Sequence, residues 1–209
     1  MPRKSTLSTQ IVLDRAFALA NENGLDAVTY NGLARELGIR PQSMYRYVSD
    51  LKELRAALLT RFLDELTTTI GRKMEGLEPI DALRTYAVTM YDECHANPRY
   101  YETFERMHTY EIIPELHEPL LALAELVLNP MAKFKGTTAE AARLTQLFVA
   151  VNLGYAQMAM TAFIPTSLAD DRAMFIRSID EFLEKILGTQ LCHKRQRKRP
   201  ISATEEEYQ

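Results

Sequence analysis

Apolar residues recur at steps of three and four along nearly the whole chain, a spacing that places them on one face of an α-helix. Runs of alternating or β-branched residues bounded by turn signals, which would indicate strands, are scarce. The pattern therefore predicts an all-α protein. A chain of 209 residues can bury a sizeable core and can hold more than one domain.

Two short helices are predicted at the start of the chain. The first begins near Ser8 and ends before Gly24, because serine can cap the free N–H groups of a first turn and glycine can adopt the positive φ of a helix end. The second helix is capped by Thr29 and ends at Gly38 for the same reasons.

A third short helix and a longer fourth helix follow. Pro41 suits a first helical turn, where its missing N–H costs no hydrogen bond, and the third helix is predicted to run to about Tyr47. Asp50 and Glu53 stand three positions apart ahead of a long apolar pattern, which is typical of a capping box. The fourth helix is therefore expected to begin directly after Asp50.

The remaining helices are predicted over residues 79–96, 98–108, 114–134, 138–163 and 171–187. We expect a small N-terminal domain over residues 1–58, whose last helix continues to about residue 70 as a connector, and a larger helical domain over 59–188. Residues 189–209 are polar and lack helical apolar spacing, so we expect a disordered tail. Its basic cluster over 194–199 is either a solvated terminus or an additional phosphate contact.

The segment from Thr29 to Val48 has the layout of a helix-turn-helix, with two helices about a Leu-Gly-Ile turn. Ala34 is small enough to let the two helices approach closely. The apolar residues expected to face inward are Leu33, Leu37, Ile39, Met44 and Val48. The other side chains of the third helix are polar or aromatic, and they can face a DNA major groove.

Two kinds of DNA contact are predicted from the chemistry of these side chains. Arginine can bridge O6 and N7 of guanine and glutamine can pair with adenine, so the expected base contacts are Arg40, Gln42 and Arg46. Hydroxyl and ammonium groups suit phosphate oxygens, and the expected phosphate contacts are Thr29, Ser43, Tyr45, Tyr47 and Lys52. The charge distribution agrees, because residues 1–52 carry a net charge of +2 and the rest of the chain carries −5. We therefore expect double-stranded DNA as a partner.

Residues 8–58 resemble the head of the tetracycline-repressor-type (TetR) family of bacterial regulators. The resemblance rests on a first helix that ends in Asn-Gly, a Val-Thr start of the second helix, and the stretches 33–39 (LARELGI), 43–48 (SMYRYV) and 51–54 (LKEL). It implies a homodimer that binds a near-palindromic operator, acts mostly as a repressor and is released by a small molecule. It also implies DNA-backbone contacts at the positions that match Thr29, Ser43, Tyr45 and Tyr47.

Two positions depart from the family pattern. Leu51 stands where many members have a lysine that reaches a phosphate, and the neighbouring Lys52 is the candidate substitute. Asn31-Gly32 is a weak pair for a helix interior and by itself would indicate a hairpin turn. The second helix is therefore expected to be locally unstable.

The last two helices carry enough apolar surface to pair across a two-fold axis, and the resemblance implies that they form the dimer interface. The candidate interface residues are Leu144, Leu147, Val151, Phe175, Ile179, Phe182 and Ile186. The alternative is that these faces only complete the core of one protomer.

The middle of the chain is rich in aromatic and methionine side chains, which suit an adaptable pocket for a partly apolar effector. The candidate pocket residues are Tyr86, Met90, Tyr91, Tyr101, Phe104, Met107, His108, Phe148, Asn152 and Tyr155. The alternative is an ordinary helical core, because such stripes also occur at core positions.

No motif of an enzyme, cofactor site or paired-cysteine metal site occurs, so we expect no catalysis, no cofactor and no metal. Cys94 and His95 are neighbours on a predicted helix, and neighbouring side chains diverge by about 100° and do not converge on one atom. Two widely separated cysteines and the lack of a membrane-length apolar run favour a cytoplasmic protein. The competing function is a helical protein-interaction module that does not bind an operator.

Overall fold

The computed structural model describes residues 7–97, 114–134, 137–161 and 171–187. Within these residues the chain is helical and has no strand, so the predicted all-α class is confirmed. The helices are α1 (Thr9–Asn23), α2 (Tyr30–Leu37), α3 (Pro41–Met44), α4 (Leu51–Met74), α5 (Pro79–Ala96), α6 (His117–Met131), α7 (Thr138–Thr161) and α8 (Asp171–Phe182). Short 3₁₀ turns lie at Leu25–Ala27 and Pro114–Leu116, and a π-helical turn at Leu183–Leu187 extends α8.

The ends of the first two helices follow the predicted capping chemistry. The Ser8 and Thr29 side chains each accept a hydrogen bond from the backbone N–H three residues on, at 3.3 and 3.0 Å. Gly24 after α1 and Gly38 after α2 have φ values of 84° and 65°, which favour glycine. The predicted bounds of α1 and α2 are therefore confirmed.

Gly32 belongs to the pair that the sequence marks as weak for a helix, and the structure explains why glycine stands there. A Cβ at Gly32 would lie 2.6 Å from the carbonyl oxygen of Ala27 and 3.1 Å from Oγ1 of Thr29. The start of α2 therefore packs against the preceding 3₁₀ turn more closely than any side chain permits. The lower helix propensity of glycine accompanies a close contact between backbones.

Helix α3 is shorter than predicted, because regular α-helix ends at Met44 and not near Tyr47. The next residues close tighter turns, in which the Tyr47 N–H donates to Met44 at 2.8 Å and the Arg46 N–H donates to Ser43 at 3.3 Å. Met44 and Val48 are both buried, and the tighter turn brings Val48 back to the core. The recognition segment is therefore one helical turn followed by 3₁₀-like turns.

Helix α4 runs without a break across the predicted domain boundary at residue 58 and ends at Met74, close to the expected connector length. It packs against α5 and α6, and α5 in turn packs against α7 and α8. Two forked ion pairs join α5 to α8, with Arg84 on Asp180 at 2.6 Å and Arg172 on Asp92 at 2.7 Å. One cluster of buried apolar residues extends from Val12 in α1 to Leu183 after α8.

The other predicted helices are recovered within a few residues, apart from the one over 98–108, which lies outside the described residues. The predicted 114–134 helix consists of a 3₁₀ turn and then α6, and the predicted 138–163 helix is α7. The expected tail over 189–209 also lies outside the described residues. Across the part of the chain that is described, no helix combines the length and apolar character needed to cross a bilayer.

Candidate nucleic-acid interface

One side of the recognition segment is anchored in the core. Leu33, Met44 and Val48 are buried, and Ala34 is only 1% exposed where α2 and α3 pack together. Leu37 and Ile39, the other two residues expected to face inward, are half-buried against the same cluster. The opposite side of the segment is therefore the one that faces outward.

The outward side carries the side chains selected for DNA contact. Arg40, Gln42 and Arg46 are exposed, and the Tyr45 side chain is 61% exposed. Ser43 and Tyr47 are half-buried, since each lies on the flank of the segment beside a buried residue. These six residues thus present one guanidinium at each end, with an amide and three hydroxyl groups between them.

The two remaining phosphate candidates lie at the starts of the neighbouring helices. Thr29 caps α2 by accepting the Gly32 N–H, which leaves its hydroxyl hydrogen able to donate to an anion. Lys52 is exposed in the first turn of α4, where its backbone N–H donates to the Asp50 side chain at 2.7 Å. Leu51 is half-buried against the core, so this position serves packing. The substitution of a family lysine by Leu51 therefore has a structural reason.

Tyr30 belongs to this surface, and the sequence reasoning missed it. Its ring lies 4.5 Å from the Tyr45 ring, centroid to centroid, at an interplanar angle of 33°. Its hydroxyl donates to the carbonyl oxygen of Ser49 at 3.2 Å. Burial, followed by the neighbouring Tyr45 and Asp50, raises the pKa of Tyr30 above its ordinary value, so the hydroxyl remains a donor. The available signal was a tyrosine directly after a helix cap, where no apolar pattern required it.

Three arginine contacts hold the head together and join it to α4. Arg61 on α4 donates to Asp14 on α1 at 2.8 Å, and its guanidinium carbon lies 4.1 Å from the centroid of the Phe17 ring. Arg15 on α1 is paired with Glu36 on α2, which raises the pKa of the guanidinium and lowers that of the carboxyl group. Arg55 on α4 donates to the Val28 carbonyl at 3.1 Å. The first two helices are therefore fixed against the start of the connector.

Solved structures of transcriptional regulators share this arrangement of head and body. The regulator SCO7222, a TetR from Streptomyces coelicolor, superposes with a TM-score of 0.67 and 17% identity, covering 88% of this chain and all of the other. Bacillus subtilis FadR, solved in complex with stearoyl-CoA, has a TM-score of 0.62 and 10% identity over 82% of this chain and 95% of its own. The chain has the fold of the TetR family. The resemblance predicted from residues 8–58 is thereby confirmed for the fold.

Curated relatives with the TetR-type head motifs are also found by sequence. The chain is 31% identical over 105 residues to the uncharacterized HTH-type transcriptional regulator Rv0681 of Mycobacterium tuberculosis, and 27% identical over 96 residues to YobS of Bacillus subtilis, which has the same description. The chain spans about half the length of these curated relatives, at 48% and 50%. No protein-family model matches the chain.

Within the TetR-type body, most described candidates for the effector pocket are packed in the core. Tyr86, Met90, Tyr91, Phe148 and Asn152 are each at most 5% exposed, and Tyr155 is half-buried. The other four candidates, Tyr101, Phe104, Met107 and His108, lie outside the described residues. An effector would therefore have to displace or separate side chains that are in contact here, and the pocket stays a prediction.

These body residues form a chain of aromatic contacts between α5, α7 and α8. Tyr91 is stacked between His95 and Phe175, with centroid distances of 3.8 and 4.4 Å. Tyr155 meets the edge of the Phe175 ring at 5.4 Å, and its hydroxyl lies 2.6 Å from Oγ of Ser178. The aromatic stripe thus links the helices that the family resemblance assigns to effector binding and to dimerisation.

Asn152 is the one effector candidate in this core with an unsatisfied polar atom among the described residues. Its side-chain N–H donates to the Phe148 carbonyl at 2.8 Å, whereas its Oδ1 is buried without a hydrogen-bond partner. A buried acceptor without a partner costs free energy in the folded state. The atom is therefore suited to receive a donor from a bound molecule or from water.

A groove of about 640 Å³ lies along α4, near the junction of head and body. Its walls are Glu53, Ala56, Ala57, Thr60, Arg61, Asp64, Glu65 and Glu115. None of the residues predicted for the effector pocket lines this groove. Its acidic rim includes Glu65, which together with Asp14 holds the Arg61 guanidinium.

Cys94 and His95 point to different surroundings, as expected for neighbours on a helix. The Cys94 thiol is buried 4.0 Å from the Met90 sulfur, and burial raises its pKa to about 12. His95 instead contacts the Tyr91 carbonyl through Nδ1 at 2.8 Å. A protonated thiol is a poor nucleophile and metal ligand. Among the described residues, no group of three His, Cys, Asp or Glu side chains could hold a metal ion.

Most of the candidate dimer residues are covered within the protomer. Leu144, Phe175, Ile179 and Phe182 are buried, Val151 is half-buried and Leu147 is 38% exposed. Ile186 lies in the turn after α8, and its side chain is outside the described residues. Leu153 and Met174, which were not selected from the sequence, are 37% and 49% exposed on α7 and α8. Periodicity indicated which helices are amphipathic, but it did not separate the core face from an outer apolar face.

Proposed function

We propose that the protein is a DNA-binding transcriptional regulator that binds a near-palindromic operator as a homodimer and acts as a repressor released by a small molecule. The observation that carries the proposal is the outward side of the recognition segment. Arg40, Gln42, Tyr45 and Arg46 are exposed together, while Met44 and Val48 fix the segment in the core. An exposed set of guanidinium, amide and phenol groups on a supported turn suits a DNA groove.

In the proposed complex, the segment from Arg40 to Tyr47 enters the major groove. Arg40, Gln42 and Arg46 read base edges, because their side chains offer the donors that guanine and adenine accept. The hydroxyl groups of the flanking residues and the Lys52 ammonium hold phosphates and fix the register. Two such heads in a homodimer would enter successive major grooves about 34–36 Å apart.

The connection between effector and DNA is proposed to run through α4. This helix is continuous from Leu51 to Met74, and it holds the head through Arg55 and Arg61 while packing against α5 and α6. An effector that separates α5 from α7 would therefore shift α4 and with it the spacing of the heads. FadR, a protein of the same fold, was solved with stearoyl-CoA, which supports a partly apolar effector.

Selection of bound sequences from a random duplex pool, followed by a salt series on the selected sequence, tests the proposal. A near-palindromic site whose affinity falls steeply between 50 and 200 mM salt is expected, because phosphate contacts release counterions, by roughly 0.9 ion per contact. Arg40→Ala should cost about 1–3 kcal/mol and relax the preference at one base position. Lys133→Ala, an exposed charge after α6, is the matched control and should leave affinity unchanged.

Lack of duplex binding at low salt would overturn the proposal and favour the protein-interaction module. A uniform loss of affinity from Arg40→Ala across all sequences would reassign Arg40 from base to phosphate contact. A screen of small molecules for release from the selected duplex then identifies the effector.

A further inference from the structure

Tyr45 is an exposed aromatic residue whose ring is nevertheless held by a neighbour. It follows α3 directly, and 61% of its surface is exposed. The Tyr30 ring, at the first position of α2, covers one side of it at a centroid distance of 4.5 Å. An exposed tyrosine on a tight turn would otherwise exchange among several rotamers. The contact with Tyr30 therefore limits where the Tyr45 hydroxyl can lie.

Tyr30 can serve as a support because it is itself fixed at two points. Its backbone begins α2 directly after the Thr29 cap, and its ring packs against the apolar core. Its hydroxyl donates to the carbonyl oxygen of Ser49, directly before the Asp50 cap of α4. A single side chain thus contacts the start of α2, the end of the recognition segment and the entrance to α4.

We propose that Tyr30 is a positioning residue that holds the Tyr45 phenol in the orientation in which it donates a hydrogen bond to a DNA phosphate. This inference rests on the proposed function. The Tyr30 hydroxyl is engaged by Ser49, so Tyr30 acts through its ring, and Tyr45 makes the DNA contact. Holding the Tyr45 side chain before binding removes part of the entropy cost of ordering it on DNA, which corresponds to about two- to tenfold in affinity.

The test measures affinity for a random-sequence 30-base-pair duplex at low salt, since phosphate contacts do not depend on base sequence. Tyr30→Phe keeps the ring contact and should bind within about twofold of the wild type. Tyr30→Leu removes the ring contact and should bind at least threefold more weakly. Binding is measured well below the midpoint of thermal unfolding of each variant, so that loss of folded protein does not enter the affinity.

A double-mutant cycle separates positioning from a general effect on the fold. If Tyr30 acts through Tyr45, Tyr30→Leu should cost little once the hydroxyl has been removed by Tyr45→Phe. The same cycle with Gln42→Ala, at the other end of α3, is the control and should be additive. Additive losses from Tyr30→Leu and Tyr45→Phe, or equal losses from Tyr30→Phe and Tyr30→Leu, would overturn the inference.

The outcomes also separate the inference from the proposed function. If the wild type binds no duplex at low salt, the proposed function fails and the inference fails with it. If the wild type and Tyr30→Leu bind equally well, only the positioning role is overturned. Weaker binding by Tyr30→Leu that the Tyr45→Phe background abolishes supports both.

Discussion

Arg55 on the connector helix donates a hydrogen bond to the carbonyl oxygen of Val28, 3.1 Å away, across 27 positions of sequence. Val28 is fully buried and immediately precedes Thr29, the cap of α2. The contact therefore joins the helix that leads into the body to the residue from which the recognition unit begins. The Nε atom of the same guanidinium is buried without a hydrogen-bond partner, so Arg55 is retained at some cost.

Replacement of Arg55 by methionine should destabilise the protein by about 1 kcal/mol, as measured by urea unfolding. Loss of the charge-assisted bond to Val28 lowers stability, and removal of the unpaired Nε–H offsets part of that loss. Arg35→Met, at an exposed position on α2, is the matched control and should change stability by less than about 0.5 kcal/mol. Equal or higher stability of Arg55→Met would mean that the bond to Val28 contributes nothing.

Two glycines in helices should respond in opposite directions to alanine. Gly32→Ala should cost about 1–3 kcal/mol, because the new Cβ would meet the Ala27 carbonyl oxygen at 2.6 Å. Gly71→Ala in α4 should be neutral or stabilise by about 0.5–1 kcal/mol, since its Cβ would meet only the Leu126 side chain at 3.8 Å. Thermal unfolding of the two variants measures the contrast, and a similar shift for both would refute the proposed close contact at Gly32.

The Cys94 thiol should be inert in the folded protein. Burial raises its pKa to about 12 from an ordinary value near 9, so the reactive thiolate is nearly absent at pH 8. In a Cys192→Ser background, a thiol reagent should modify Cys94 only after denaturant is added. The raised pKa also means that this group's contribution to stability is fully present below about pH 9 and is lost as pH rises toward 12. Rapid modification of the native protein at pH 8 would contradict the burial of the thiol.

Replacement of Asn152 by leucine should raise stability by about 1 kcal/mol, because it removes a buried Oδ1 that has no partner. The lost side-chain bond to Phe148 matters little, since that carbonyl also accepts a backbone N–H of the helix. Urea unfolding tests the change, with Thr145→Ala as a control for loss of a side-chain bond to the backbone on the same helix. A clear loss of stability in Asn152→Leu would show that Oδ1 is satisfied in solution, for example by a buried water.

A charge at the exposed apolar face of α7 should dissociate the proposed homodimer. Leu147→Glu places a carboxylate at a residue that is 38% exposed, where a partner would bury it. Leu121→Glu, at a 41% exposed position on α6, is the matched control and should leave the oligomeric state unchanged. Sedimentation velocity distinguishes the two, and an intact dimer in Leu147→Glu would exclude this part of α7 from the interface.

The local features of the head could be predicted without a structure because their causes lie within a few residues of one another. Serine and threonine caps, the αL glycine after α2 and Pro41 at the start of α3 act on the adjacent turn. The exposed side of the recognition segment follows from which residues are too polar for a core. Hence the bounds of the first two helices and the outward position of Arg40, Gln42 and Arg46 agree with expectation.

The tertiary structure decided what depends on residues far apart in sequence. The contacts of Tyr30 with Tyr45 and Ser49, and of Arg55 with Val28, follow from how α2 and α4 pack, and no periodic pattern marks them. An apolar helix face looks the same in sequence whether it meets its own protomer or a second copy, so the burial of Phe175 could not be read from spacing. The sequence by itself thus determined the helices and the chemistry of the recognition surface. Only packing decided which side chains hold that surface in place, because packing pairs residues by distance in space.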